Sequence, residues 1–243
     1  MHIIKVSATE STNTLSREWY HSNKNSAPFC IVAFEQTSGR GQRGAGWVSN
    51  AGENLTMSVV YPHPAIEIQD QFVLSAMVGI TIMEVLRDLK INHLKLKWPN
   101  DIMAANFKVG GILIENILNN GRIAASIIGI GLNINQLIFP LLPKAASLKS
   151  ISGKDYDIEK LLKVILNKLD ENLKSLELTP SEEVLRNYEN YLFRRNKVST
   201  FQLASQEFLT GIIRGVTSTG LLKVEVEDVD IRLFDLKELK LLF

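Results

Sequence analysis

"GGILIENILNNGRIAASIIGIGLNI", residues 110–134, is the stretch that decides the fold. Two apolar runs flank Asn119-Asn120-Gly121, and Asn-Gly is the dipeptide that best tolerates the backbone of a tight hairpin turn. Two strands joined in this way run antiparallel, so the central sheet is predicted to be largely antiparallel. Outward from the hairpin, "LKLKW" (94–98), "NLTMSVVY" (54–61), "FCIVAFE" (29–35) and "HIIKVS" (2–7) read as further strands. Residues 70–90 are apolar nearly all round, as in a helix buried against a sheet. "STNTLSREWYHS" (11–22) reads as a helix, with Ser and Thr suited to capping its start. Downstream, 157–178 and 181–195 are amphipathic helices. From about Lys197 the pattern changes to short β segments with turns, which fits a small barrel of roughly 45 residues. Neither an internal repeat nor a low-complexity tract interrupts this order.

Composition narrows the function classes. With 243 residues, 45% of them apolar, the chain can bury one good core and carry a small appendage. Lys and Arg number 27 against 26 Asp and Glu, so the overall charge points to neither nucleic acid nor an anionic membrane, and any charged partner must be met locally. The single cysteine, Cys30, lies in the run "FCIVAF" and reads as a buried structural thiol in a reducing compartment. "MHIIKVSATEST" carries no signal-type stretch, and "FVLSAMVGITIMEVL" at 72–86 falls short of a membrane span, so a soluble, cytoplasmic protein without a membrane anchor is expected. His2, His21, His63 and His93 show no metal-ligand spacing and are assigned no chemistry.

The residues that could carry chemistry lie between the strands. "GRGQRGAGW", 39–47, is too long for a tight hairpin and too glycine-rich to be rigid without a ligand, so it reads as a binding loop. Its glycines let backbone N–H groups approach an anion, Arg40 and Arg43 can pair with a carboxylate or phosphate, and Trp47 offers a flat face to a planar ring. Taken alone, the loop fits a surface loop with Trp47 tucked into the core equally well. It is neither a Walker loop nor a dinucleotide fingerprint, because it lacks G-K-[ST] and precedes a strand. "KWPND", 97–101, ends a strand in a proline-fixed turn that delivers Asn100 and Asp101 at the strand's tip. "FKVGGILIE", 107–115, places Lys108 just before a glycine pair that opens the next strand. Each is bland by itself, a turn and a solvated loop charge. With "ESTN" (10–13), "EQTSGRGQRG" (35–44) and "GIGLNIN" (129–135) they form an ordered set.

That set resembles the biotin protein ligases, over about residues 1–135 through the motifs and over the C-terminal part through pattern alone. The resemblance implies an α+β fold. A class II aminoacyl-tRNA-synthetase-like, mixed, mainly antiparallel sheet with helices would form a catalytic biotin/ATP-binding domain over 1–195, followed by a small Src-homology-3-like β-barrel over 196–243. It implies the monofunctional type, because "ESTN" begins at residue 10 and leaves no room for the N-terminal DNA-binding domain of members that also repress transcription. The implied activity is ATP-dependent: biotin is activated to biotinyl-5′-AMP, then transferred to a specific lysine of a biotin carboxyl carrier protein, as in acetyl-CoA carboxylase. A lipoate-type ligase and a non-catalytic sensor of biotin or its adenylate are the rival readings. Edge strands leave a homodimer open.

The first step joins two anions, so fixed Arg and Lys and the nucleotide's Mg²⁺ are the expected tools. By match to the family's motifs, Lys108 bridges the biotin carboxylate and the α-phosphate, and Arg40 holds them from the other side. Ser11, Thr12, Asn13, Gln36 and Gly39 are carried over to biotin, with Gly110, Gly111 and Leu113 shaping its slot and Gly131 near the ring. Capping a helix remains an alternative role for Ser11 and Thr12. Gly41, Gln42, Arg43, Trp47, Asn100 and Asn133 are carried over to ATP or the adenylate. In the second step the acceptor amine, with a pKa of about 10.4, is mostly protonated at neutral pH, so something must favour its free form. Asp101 is the candidate for orienting it, in competition with a role as a Mg²⁺ ligand. The loop departs from the family's pattern at Gln42, Ala45 and Gly46, where many members are basic, and is less cationic for it.

Overall fold

The computed structural model describes residues 1–23, 27–140, 142–227 and 230–243, without the side chain of Arg43. In chain order the first elements are β1 (His2–Thr9), α1 (Thr12–Asn23), β2 (Phe29–Gln36), β3 (Gly39–Arg40), β4 (Gly46–Trp47) and β5 (Leu55–Pro62). Then come α2 (Gln71–Asp88), β6 (Leu94–Lys97), β7 (Asp101–Ala104), β8 (Phe107–Asn119) and β9 (Arg122–Leu132). The seven longer strands form one sheet in the order β1-β2-β5-β9-β8-β7-β6. Every pairing in it is antiparallel except β1 with β2. The β8–β9 hairpin sits near its centre, with Asn120 and Gly121 both at positive φ, as the Asn-Gly signal requires.

Adjacent residues on the central strands point to opposite faces, and two cores result. Phe29, Ile31, Val60 and Ile127 pack with Leu15 and Tyr20 of α1. Cys30, Val59 and Ile128 join the larger cluster that contains α2. Three further helices, α3 (Leu148–Ser152), α4 (Ile158–Ser175) and α5 (Ser181–Tyr191), follow β9, and α2 lies against α4, α5 and the sheet. Enclosure on several sides explains why α2 is apolar nearly all round. Ile68–Asp88 is long and apolar enough to cross a membrane by length and composition, but 67% of its most apolar window is buried inside the protein.

The chain ends in β10 (Val198–Leu203), β11 (Phe208–Val216), β12 (Leu222–Val226), β13 (Asp230–Phe234) and β14 (Leu239–Leu242). They form an antiparallel sheet in the order β13-β12-β11-β10-β14. It is fastened to the rest of the molecule: Trp98 Nε1 donates to Gly220 O at 2.9 Å, and Glu189 Oε1 accepts from Val216 N at 3.0 Å. Phe201, Ile213 and Leu239 belong to the same buried cluster as α2.

Several local expectations are corrected. Lys108 is not in a loop before a strand: it is the second residue of β8, and β7, which the sequence reading overlooked, pairs with it through Met103. The turn between them, Ala105-Asn106, contains neither Gly nor Pro, although Ala105 takes a φ of 53°. The glycine loop, too long for a tight hairpin as expected, nonetheless closes a ladder of its own through Gly39–Trp47 and Arg40–Gly46 pairing around a 3₁₀ turn at Gln42–Gly44. The two amphipathic helices end earlier than 178 and 195, at Ser175 and Tyr191.

Candidate functional site

The start of α1, the β3–β4 loop, the Pro99 turn and the middles of β8 and β9 converge on one cavity of about 250 Å³. Ser11, Thr12, Asn13, Gln36, Arg40, Gly41, Gln42, Trp47, Asn100, Asp101, Lys108, Gly111, Leu113 and Gly131 all line it. Residues up to 120 positions apart are thereby brought together by strand pairing. Gly39, Gly110 and Asn133 do not line it. A side chain at Gly39 would meet Trp47 O, and one at Gly110 would meet Leu132, so both glycines serve close packing behind the wall. Asn133 is buried, with Nδ2 on Ala146 O at 3.1 Å. The side chain of Arg43 is outside the described residues. Thr56, Met57, Gly129 and Leu236 line the cavity without having been singled out, and Leu236 arrives from the C-terminal sheet, for which no local signal exists.

Among the described residues two cations line the cavity, each held by a carboxylate of the main sheet. Lys108 Nζ lies 2.5 Å from Asp101 Oδ1, and Lys97 Nζ is 3.5 Å from Oδ2 of the same group. Adjacent antiparallel strands place them so: Asp101 opens β7 opposite Gly111, with Lys108 just up the partner strand. Arg40 Nη2 meets Glu115 Oε2 at 2.9 Å. Asn100 Nδ2 donates to Ile112 O at 2.7 Å, fixing the turn that carries Asp101 to β8.

Joined to Arg40 through Glu115 is a hydrogen-bonded network. Gln36 Oε1 accepts from Thr12 N at 2.8 Å and from Thr12 Oγ1 at 3.0 Å, so the cap at the start of α1 comes from Gln36 rather than from Ser11 or Thr12. Ser58 Oγ lies 2.7 Å from Thr12 Oγ1 and 2.6 Å from Asn13 Oδ1. The amide oxygen can only accept, so Ser58 gives its one proton to Asn13, and Thr12 donates to Ser58 or to Gln36. Asn13 Nδ2 donates in turn to Glu115 Oε2 at 2.7 Å.

Trp47 covers the strand floor. A Cβ added at Gly131 would stand 2.5 Å from the indole ring and one at Gly129 2.4 Å from Asn13 Oδ1, so the absence of side chains there admits both groups. Lys108 Nζ is 6.0 Å from the indole centroid. Trp47 Nε1 and Gln42 Oε1 are both buried without a partner among the described residues. No group of three His, Cys, Asp or Glu that could hold a metal occurs among the described residues. Among the described residues Asp101 is the only carboxylate lining the cavity, and both its oxygens already face lysines, so this donor set does not form a resident metal site.

Cations, an indole and a polar network around one slot suit a planar, anionic small molecule. The chain belongs to the Biotin/lipoate A/B protein ligase family, whose sequence model matches residues 6–133. It is 29% identical over 208 residues to the Bifunctional ligase/repressor BirA of Salmonella typhimurium, covering 82% of this chain and 62% of the relative. To the Bifunctional ligase/repressor BirA of Bacillus subtilis it is 31% identical over 169 residues, covering 68% of this chain and 51% of the relative. The chain thus spans little more than half the length of these curated relatives. Among solved structures it resembles the biotin protein ligase from Aquifex aeolicus in complex with biotin and ATP, with a TM-score of 0.82 at 27% identity, over 99% of this chain and 98% of that one.

Proposed function

We propose that the protein is an ATP-dependent biotin protein ligase. It converts biotin to biotinyl-5′-AMP and transfers the biotinyl group to a lysine of a biotin carboxyl carrier protein. The observation that carries this reading is the placement of Lys108 and Arg40 on one cavity together with the Thr12–Asn13–Gln36–Ser58 network. The cations suit two anions that must react, and the network suits the ureido head of biotin. A carboxylate oxygen of biotin attacks the α-phosphorus, the bond to the β-phosphate oxygen breaks, and pyrophosphate leaves. Lys108 and Arg40 offset the repulsion between the anions and the charge that develops on the phosphoryl group. Mg²⁺ arrives with the nucleotide as part of the substrate, screening its phosphates. In the second step the acceptor amine attacks the acyl carbon, AMP departs, and Asp101, once Lys108 has turned to the phosphate, accepts or orients the amine's proton.

The same reading takes residues 1–195 as the class II synthetase-like catalytic domain and 196–243 as a Src-homology-3-like barrel. The outer edge of β1, unpaired among the described residues, would be where a second copy adds in a homodimer. The family also contains lipoate ligases, and acid-dependent ATP–pyrophosphate exchange with biotin and with lipoate separates the two. Exchange with biotin only, and a gain of one biotinyl group by a carrier domain in mass spectrometry, is the expected result. Binding of one equivalent without turnover would mean a sensor.

A further inference from the structure

Glu115 closes the "FKVGGILIE" motif but is given no role by it, yet two residues of the proposed site converge on it. Its Oε2 accepts from Asn13 Nδ2 at 2.7 Å and from Arg40 Nη2 at 2.9 Å, and Arg17 Nη2 stands 3.9 Å from Oε1. We propose that Glu115 is a positioning residue for biotin activation, holding the Arg40 guanidinium and the Asn13 amide in the geometry with which they meet the substrates. This rests on the reading of the cavity as an adenylation site.

The first argument is mechanical. Arg40 stands between Gly39 and Gly41 on a loop whose only ladder among the described residues is with itself, and a long side chain there would have to be ordered at each binding event. Glu115 lies in the middle of β8, opposite Ile127 of β9, with which β8 is paired over nearly its whole length. A charge-assisted bond to such a strand orders the guanidinium in advance, and preorganised donors stabilise developing charge without further rearrangement.

The second argument concerns charge. A bare carboxylate beside a site that must accept two anions would oppose them. Engaged by one edge of a guanidinium it does not, because the guanidinium has five N–H donors and the described contacts use a single nitrogen, Nη2, leaving Nε and Nη1 for the ligand. The third argument is the amide. Donation by Asn13 Nδ2 to Glu115 and to Leu113 O turns Oδ1 toward Ser58 and onto the bare backbone of Gly129. One carboxylate oxygen therefore aligns both groups.

The test is biotin-dependent ATP–pyrophosphate exchange in a double-mutant cycle of Glu115→Gln and Arg40→Ala. Glutamine keeps an acceptor oxygen for Asn13 but removes the charge that holds Arg40. With Arg40 present, Glu115→Gln should lower kcat/KM about tenfold, while the thermal midpoint moves by no more than about 2 °C. In the Arg40→Ala background the same change should cost less than about twofold, because there is no guanidinium left to position. Equal losses in both backgrounds, or no loss in either, would overturn the proposal. If Glu115→Gln does not fold, Glu115→Asp, which keeps the charge but withdraws it by a methylene, enters the same cycle with the same expectations. Absence of exchange in the unsubstituted chain would instead sink the adenylation reading itself, so the two failures are distinguishable.

Discussion

At the scale of single residues, Lys108 illustrates how little a charge at such a site contributes to the fold. Its side chain is 38% exposed and its partner Asp101 keeps Lys97 nearby, so the ion pair is worth about 1 kcal/mol or less to stability. Lys108→Ala should therefore leave the thermal midpoint nearly unchanged and reduce pyrophosphate exchange by about two or more orders of magnitude. Wild-type exchange in that variant would remove Lys108 from the mechanism. Gln42 lines the cavity and its Oε1 has no partner among the described residues. Replacing it with arginine offers the adenylate a charge-assisted contact worth about 1.5–3 kcal/mol. Gln42→Arg should then slow escape of labelled biotinyl-AMP about tenfold or more in a chase with unlabelled biotin and ATP. Unchanged escape would mean that the loop backbone already closes the site. Cys30 is chemically silent: burial between β1 and β5 pushes its thiol up to about 12. Iodoacetamide at pH 8 should label it only after denaturation, as peptide mass spectrometry would read.

At the scale of elements, the C-terminal sheet carries a pH signature of its own. Arg214 on β11 grips Glu225 on β12 through Nε at 2.8 Å and Nη2 at 2.9 Å. The hydrogen bonds to Arg214 hold the Glu225 carboxyl below its ordinary 4.5. A depressed carboxyl contributes stability that is fully present above the unfolded value and disappears as pH falls through the folded one. Thermal melts from pH 7 down to pH 3 should show the native chain losing more stability below about pH 4.5 than Glu225→Gln does. Parallel curves would show that the pair adds nothing. The loop between β3 and β4 teaches the converse about elements. Its four glycines suggested a segment ordered only by a ligand, but the backbone closes a two-rung ladder of its own and leaves Arg40 to be ordered from outside, by β8.

At the scale of the whole molecule, the C-terminal sheet is part of the site's architecture. Leu236 lines the cavity, and Trp98, next to the Pro99 turn, is tied to Gly220. Leu236 is only partly buried, so Leu236→Ala should alter the midpoint by about 2 °C or less. If the sheet closes the cavity over the substrates, the overall biotinylation rate should fall about three- to tenfold. Unaltered kinetics at every substrate concentration would confine the sheet to a structural role.

The sequence by itself determined the elements and most of the site's membership, because both rest on local chemistry. Period-two apolar runs, the Asn-Gly turn and the apolar helix at 71–88 are consequences of side chains acting on their own backbone and on burial. The motifs carrying Ser11, Arg40, Asp101 and Lys108 were legible because each is a short run of unusual residues. Only the tertiary structure decided which of these residues meet. Glu115 lies 75 residues from Arg40 and 102 from Asn13, in a strand where it looks like an ordinary solvent-facing charge. Strand β7 and the Ala105-Asn106 turn escaped notice because no glycine or proline marks them. Gly110 and Asn133 sit in motifs but do not line the cavity, because Gly110 packs against Leu132 and Asn133, just past β9, is turned to Ala146 O. Register and sheet order follow from burial summed over the whole chain, and no short stretch contains that sum.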